Sequence, residues 1–311
     1  MKRILITGSE GYIGRALVNK LSEHYVLGVD IQPASSLQAP HYQYVPMDIR
    51  DNGLSALIAE HNIEQVVHLA SVMNPGQDPQ RDYDIDINGT QNVLDASVAN
   101  GVTQLIVTSS GAAYGYHADN PAWLTEQHPL RGNSAFSYSH HKRLIESMLR
   151  DARTKHPQLR QLVLRPGTVL GQHTNNLITR LFQRPRMLKI AGSPSPFVFI
   201  WDEDVIGIIC QGIEQQRDGI FNLAGDGALS IDEIAATLHK PLLTLPAGLL
   251  KAMLWIGRLF KLTPYGPEQL DFLRYRPVLD NQALKQQFGY IPRKTSQQVL
   301  EFYARHNGLL P

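Results

Sequence analysis

Arg3-Ile4-Leu5-Ile6-Thr7-Gly8-Ser9-Glu10-Gly11-Tyr12-Ile13-Gly14-Arg15-Ala16-Leu17-Val18 is the stretch that decides the fold. A β-branched run ends at Thr7, three glycines follow as GxxGxxG, and apolar residues then recur at helical spacing. A strand therefore passes through a glycine turn directly into a helix. Glycine suits that turn because its backbone angles are closed to side chains, a pyrophosphate must reach bare main chain, and helix and strand must pack closely. Amides at the helix start then hold phosphate, which makes Gly8, Gly11, Tyr12, Ile13 and Gly14 candidate dinucleotide contacts. The next strand, Val26-Leu27-Gly28-Val29-Asp30, ends in a carboxylate placed to accept hydrogen bonds from adenosine ribose hydroxyls. Asp30 would repel a 2′-phosphate, and no arginine follows it in Ile31-Gln32-Pro33, so the reading favours NAD over NADP. The local alternatives are a Gly-rich turn and a strand-capping aspartate.

Outward from this unit, strands are expected at Arg3 to Thr7, Tyr25 to Asp30, Gln43 to Pro46, Gln65 to Leu69, Gln104 to Ser109 and Gln161 to Arg165. Helical spacing appears between them at Gly11 to Glu23, Gly53 to His61, Asp82 to Asn100 and Ser137 to Lys155. This alternation predicts an α/β fold, a Rossmann-type doubly wound parallel sheet with helices on both faces. After Pro166 the elements shorten and are broken by Gly192-Ser193-Pro194-Ser195-Pro196 and Thr263-Pro264-Tyr265-Gly266-Pro267. Residues 1–166 are therefore expected to form the dinucleotide-binding domain and 167–311 mainly a smaller substrate-binding lobe. Residues 197–223 read as strand, helix and strand returning to the first domain.

Tyr138-Ser139-His140-His141-Lys142 puts a phenol and an ammonium one helical turn apart on one face. A cation beside a phenol lowers its pKa, which makes tyrosine a usable general acid or base near neutrality. Such spacing also arises on solvated helix faces. Its partner is Ser110, in Val107-Thr108-Ser109-Ser110-Gly111-Ala112-Ala113-Tyr114-Gly115, just beyond a buried strand. A hydroxyl there can hydrogen-bond the reacting oxygen, though serine also favours strand-to-loop turns for local reasons.

The 311 residues suffice for a large core, and the formal charge of +1 provides no field to gather nucleic acid. The lone Cys210 cannot form an intramolecular disulfide and belongs to no metal motif, so no metal is expected. Met1-Lys2-Arg3 leads at once into Thr7-Gly8 rather than into an export signal, and no apolar run is long enough for an integral membrane segment. The expected location is cytoplasmic.

Together these segments resemble the extended short-chain dehydrogenase/reductases, the family of NAD-dependent sugar epimerases and dehydratases. Met47-Asp48-Ile49-Arg50-Asp51, His68-Leu69-Ala70, Asn88-Gly89-Thr90, Leu164-Arg165-Pro166, Phe199 to Val205, Phe221-Asn222-Leu223, Asp280 and Phe288-Gly289-Tyr290-Ile291-Pro292 extend the resemblance over most of the chain. It implies that Asp48 and Ile49 flank the adenine, that Leu69, Ala70 and Ser71 line the cofactor with Ser109 and Pro166, and that Lys142 also holds the nicotinamide ribose. Tyr138 then exchanges the substrate's hydroxyl proton. Asn88 resembles an asparagine that supports the active-site region, and an N-terminal helix cap explains it equally well. The resemblance further implies a small-molecule substrate contacted by Ser110 and Asn176, and a homodimer formed through the helices at Asp82 to Asn100 and Ser137 to Lys155.

Two departures bear on substrate. Family members that act on UDP-sugars carry an arginine just before the segment matched by Phe199-Ile200-Trp201; here the place falls on Phe197 or Val198, and an apolar side chain cannot clamp a diphosphate. Arg274 or Arg276 could bring charge from another direction. The family's 4,6-dehydratases place Asp and Glu after the catalytic hydroxyl, where this chain has Gly111 and Ala112, so dehydration is not expected. Pro246 to Leu262 reads as a basic amphipathic helix with Lys251, Arg258 and Lys261, either packed in the second lobe or at a subunit contact, or resting on a membrane surface or covering a lipid-like substrate. His140 and His141, side by side without a third ligand, read as helix surface or substrate rim.

The leading expectation is thus an NAD-dependent epimerase or dehydrogenase for a secondary alcohol or ketone of a sugar nucleotide or related molecule. The alternatives are a reductase or dehydrogenase of an apolar, sterol- or lipid-like ketone, and an NAD-binding sensor or assembly protein without catalysis.

Overall fold

Ile4 to Thr7, Val26 to Val29, Gln65 to His68, Gln104 to Val107 and Gln161 to Arg165 are continuous buried runs, the pattern of strands covered on both faces. The computed structural model describes residues 1–73, 78–194, 196–260, 266–267 and 270–311. Its first half runs β1 (Arg3–Thr7), α1 (Tyr12–Lys20), β2 (Tyr25–Asp30), β3 (Tyr42–Pro46), α2 (Leu54–Glu60), β4 (Gln65–His68), α3 (Pro79–Tyr83), α4 (Gly89–Ala99), β5 (Gln104–Thr108), α5 (Ser137–Lys155) and β6 (Arg160–Pro166). There follow β7 (Thr168–Leu170), α6 (Leu177–Gln183), β8 (Met187–Ile190), β9 (Phe199–Trp201), α7 (Asp202–Glu214), β10 (Gly219–Leu223), α8 (Ile231–Thr237), β11 (Leu242–Leu245), α9 (Ala247–Leu259), α10 (Leu270–Arg274) and α11 (Ser296–His306).

Seven strands form the central sheet in the order β10-β6-β5-β4-β1-β2-β3, and the pairings from β6 to β3 are parallel. The chain winds outward in both directions from β1, so β1 and β4 flank the switch point, where the loops at their carboxyl ends diverge and leave a crevice. The sheet expected from the sequence is therefore present.

The chain folds as two compact units, the first comprising Met1–Ser110, His141–Arg165 and Glu203–Phe221, the second Gly111–His140, Pro166–Asp202 and Asn222–Pro311. The first is built on a core that includes Leu5, Leu27, Val66, Leu105, Ile145 and Val163. The second has small two-stranded parallel sheets, β7 with β9 and β8 with β11, and a core around Phe182, Phe199, Ile234 and Tyr303. Residues 111–140, read from sequence as part of a domain spanning 1–166, thus group with the second unit. Of the segment 197–223, α7 and β10 join the first unit and the main sheet, whereas β9 pairs with β7 because Phe199 is buried among the second unit's aromatics.

The helix expected from Asp82 starts earlier, at Pro79. Asp78 caps it by accepting from the Gln80 and Arg81 amides, and the helix passes through a π-helical turn at Asp84–Asn88 into α4. Asn88 is consequently no N-cap: its backbone is helical and its amide donates to Asp84 Oδ1 at 2.7 Å. The basic helix is observed as α9, while Lys261 and Leu262 lie outside the described residues, as do Ser195 and Thr263 to Tyr265 of the two breaker segments.

Candidate active site

At the end of β1, Gly8 turns with a φ of +72°, and a Cβ there would stand 2.8 Å from the Ala70 amide nitrogen at the end of β4. A Cβ on Gly14 would lie 2.3 Å from the Gly8 carbonyl oxygen. The turn is thus closed to side chains from both sides. Gly11, at the N-cap of α1, is extended and brings no capping side chain, which suits a start whose amides meet an anion. This bare-backbone cradle fits a dinucleotide pyrophosphate: Gly8, Gly11, Tyr12, Ile13 and Gly14 would hold it, with Leu69, Ala70 and Ser71 on the adjoining loop.

Asp30 ends β2 beside this turn. Its carboxylate accepts from the Glu10 amide at 3.1 Å and the Gln32 amide at 3.3 Å. Glu10, which sequence reasoning missed, ties the following loop to the turn, accepting from Ser35 Oγ at 2.5 Å, Ser36 N at 3.0 Å and Ser36 Oγ at 2.6 Å. Burial pushes its carboxyl upward, but these hydrogen bonds and the Arg15 charge outweigh that and hold it below the ordinary range. Asp48 is gripped by Arg50, whose Nη2 donates to Oδ2 at 2.6 Å while Nη1 reaches Asp84 at 2.6 Å. Those hydrogen bonds hold the Asp48 carboxyl low. Ile49 is buried in the core beside Gly89, and its carbonyl accepts from Asn92 Nδ2 at 2.7 Å.

Beyond β5 lies a buried polar layer. Lys142 is 4 % exposed and its Nζ donates to the Thr108 carbonyl at 3.1 Å, at the strand end that leads into Ser109 and Ser110. Burial lowers the lysine's pKa, and the charges of Asp86 and Glu146 partly offset the effect. Asp86 accepts from Ser71 Oγ and Val72 N, both at 2.9 Å, and lies 2.8 Å from His141 Nδ1. Glu146 accepts from Ser109 Oγ at 2.5 Å and pairs with Arg165 at 2.5 Å, all three buried. His68 bridges Thr7 and Thr90 at 2.7 and 3.0 Å; since Thr90 donates to the Asp86 carbonyl, the network assigns the proton to His68 Nε2.

This layer corrects one expectation. His141 is no helix surface; it is 4 % exposed and turned toward Asp86, whereas His140 is half-buried. The signal was in the spacing: Lys142, Ile145, Glu146 and Leu149 share the inward stripe of α5, so polar residues stand at core positions. Asp86 had no such signal, because a π-helical turn breaks the periodicity that would place it.

Tyr138 sits one turn before Lys142 on α5, and its ring is tilted against Phe136 at 6.4 Å. Phe136 in turn packs on Tyr116 and Phe272, at 5.6 and 5.3 Å. Arg276 lies over the rings of Phe272 and Phe197, 4.5 and 4.0 Å from their centroids, so cationic charge reaches the buried Phe197 from the chain's C-terminal region. Its Nε is sealed from solvent with no hydrogen-bond partner, and among the described residues no carboxylate pairs with it. Arg274 instead donates to Ser193 Oγ at 3.0 Å. Gly111 and Ala112 are buried, and a Cβ on Gly111 would meet the Leu279 side chain at 2.9 Å. Asn176 caps α6, accepting from the amides of Ile178 and Thr179 and donating to the Val169 carbonyl, so most of its hydrogen-bonding capacity is spent locally.

Residues 4–224 match the model of the NAD dependent epimerase/dehydratase family. An uncharacterised protein of Mycobacterium tuberculosis is 22% identical over 321 residues, covering 100% of this chain and 85% of its own length. A UDP-glucose 4-epimerase of Neisseria meningitidis is 31% identical over 196 residues, 57% of this chain and 56% of that protein. Among solved structures, the Thermotoga maritima UDP-glucose 4-epimerase with UDP-glucose has a TM-score of 0.76 at 19% identity, covering 98% of both chains. The Bordetella bronchiseptica enzyme WbmG in complex with NAD also scores 0.76 at 19% identity, covering 98% of this chain and 94% of its own.

Proposed function

The chain belongs to the NAD-dependent epimerase/dehydratase family and its cofactor is NAD; from that premise we propose that it oxidises and re-reduces a secondary alcohol carbon of a nucleotide sugar or a related hydroxylated small molecule. NAD, when bound, supplies the acceptor and donor of hydride. Gly8, Gly11, Tyr12, Ile13, Gly14, Asp30, Asp48, Ile49, Leu69, Ala70, Ser71, Asn88, Ser109, Lys142 and Pro166 are the residues that would hold it.

The observation that carries the reading is Lys142, a buried ammonium anchored on the Thr108 carbonyl and standing one helical turn after Tyr138. Tyr138 takes the substrate's hydroxyl proton as the carbon is oxidised and returns it on reduction. Lys142 stabilises the phenolate that accepts this proton, and Ser110 donates a hydrogen bond to the reacting oxygen. Space beside Gly111 is filled by Leu279, which speaks against an added acid and base for dehydration. The likeness to UDP-glucose 4-epimerases supports a nucleotide sugar, and Arg276 is the cation suited to meet its diphosphate.

The test is Tyr138→Phe. NAD affinity by calorimetry stays unchanged and turnover falls by about 100-fold or more; undiminished turnover overturns the assignment. Thermal protection by UDP-sugars but not by hydrophobic ketones supports the nucleotide-sugar substrate, and the reverse result favours a lipid-like ketone. NAD binding without turnover of any alcohol or ketone in a broad panel points to a sensor.

A further inference from the structure

Glu10 stands inside the glycine turn, between Gly8 and Gly11, and is only 8 % exposed. Burying a carboxylate costs free energy unless hydrogen bonds meet it. The bonds from Ser35 and Ser36 do so, joined by the Tyr42 hydroxyl, which reaches Ser9 Oγ at 3.1 Å and Glu10 Oε1 at 3.5 Å. Burial works against the charge, but those bonds and Arg15 hold the carboxyl low, so Glu10 is an anion at neutral pH.

This anion has Asp30 for a neighbour. The Glu10 amide donates to Asp30 Oδ2 at 3.1 Å, which ties the turn to the end of β2. Tyr44, whose hydroxyl donates to the Asp30 carbonyl at 3.1 Å, feels both acids: burial first, then the Asp30 and Glu10 charges, push its pKa up to about 12. In a dinucleotide fold the carboxylate ending this strand accepts from the adenosine ribose 2′-hydroxyl. A phosphate esterified at that hydroxyl would therefore meet two negative side chains, one from β2 and one from the turn. Residues 28–46 hold no lysine or arginine to offset them, and the one histidine there, His41, bonds the Val18 carbonyl through Nε2 at 3.0 Å. The cation acting on Glu10 is Arg15, exposed on α1, and Glu10 already offsets its charge.

We propose that Glu10 is a second determinant of cofactor choice, rejecting NADP by holding a fixed negative charge beside the Asp30 carboxylate, at the 2′-position of the adenosine ribose. Selectivity of this kind comes from repelling the wrong ligand, and the serine tethers keep the charge in place before any ligand arrives. The proposal rests on NAD occupying the glycine cradle, and the experiment separates the two. Calorimetry measures NAD and NADP affinities for the full parent chain and its variants. Glu10→Gln keeps the shape of the side chain and removes its charge, so NAD affinity stays within about twofold of the parent while NADP binds about tenfold more tightly. Glu10→Ala, which removes charge and tether together, shifts the ratio of the two dissociation constants in the same direction. Ser35→Ala with Ser36→Ala loosens the loop but keeps the acid, so that ratio moves less than in Glu10→Gln. A ratio that both Glu10 variants leave at the parent value overturns the proposal and makes Glu10 a loop tether. An equal shift in the serine double variant overturns it too, assigning selectivity to the loop. A parent chain that binds NAD and NADP equally defeats this proposal alone, whereas one that binds no NAD defeats the cradle as well.

Discussion

His141 directs Nδ1 at Asp86 Oδ2 across 2.8 Å, joining α5 to the π-helical turn before α4 in the interior of the first unit. Burial pushes the Asp86 carboxyl upward, but the His141 hydrogen bond, the Lys142 charge, the Val72 amide and the Ser71 hydroxyl together hold it below the ordinary carboxylate range. Its stabilising contribution is therefore complete above about pH 4 and is lost as pH falls through the lowered value. Asp86→Asn removes a charge that keeps Lys142 protonated. The alkaline limb of the kcat/KM profile then moves to lower pH, and urea denaturation at neutral pH shows a loss of about 2 kcal/mol.

Gly14→Ala tests the cradle. Its Cβ would meet the backbone of Gly8 and Ser9 at 2.3 to 2.8 Å, and backbone cannot yield as a flexible side chain can. The turn must shift, and its amides leave the pyrophosphate position. Calorimetry should record NAD affinity weakened by about tenfold or more, equivalent to about 1.4 kcal/mol.

His68 contributes a pH dependence of stability. Burial first, and then the Lys142 charge, lower its pKa to about 3, so it is neutral in the folded chain. The unfolded chain binds a proton there below about pH 6.5, and the folded one does not. Stability attributable to this group is full above that value and falls as pH drops toward 3, amounting to a loss of about 2 kcal/mol at pH 5. Denaturant titrations at pH 7.5 and pH 5 on the parent and His68→Gln should show that difference disappearing in the variant.

Arg276→Gln should separate substrate binding from cofactor binding. The guanidinium lies on two aromatic rings with no carboxylate partner among the described residues, and burial lowers its pKa to about 10, leaving it cationic at neutral pH. Loss of a charge-assisted hydrogen bond raises KM for an anionic nucleotide sugar by about tenfold or more, with NAD affinity unaltered. An unchanged KM removes Arg276 from the substrate site.

What could be read in advance follows from how local each cause is. Strand β1, the glycine turn and Asp30 are set by neighbours in the chain, and the expected β2 and α5 match the structure residue for residue. Glu10 escaped notice because its role depends on Ser35 and Ser36, which come to it only after β2 turns back.

By itself the sequence determined the doubly wound sheet, the glycine turn closed to side chains and the Tyr138–Lys142 spacing, because apolar periodicity and glycine geometry act over a few residues. Tertiary structure alone decided that His141 faces Asp86, that Arg276 rests on Phe197, and that α9 buries Leu250 while exposing Leu249 and Leu259. Each of those outcomes joins segments distant in the chain, and their free energy comes from burial and charge pairing that exist only after the segments have met.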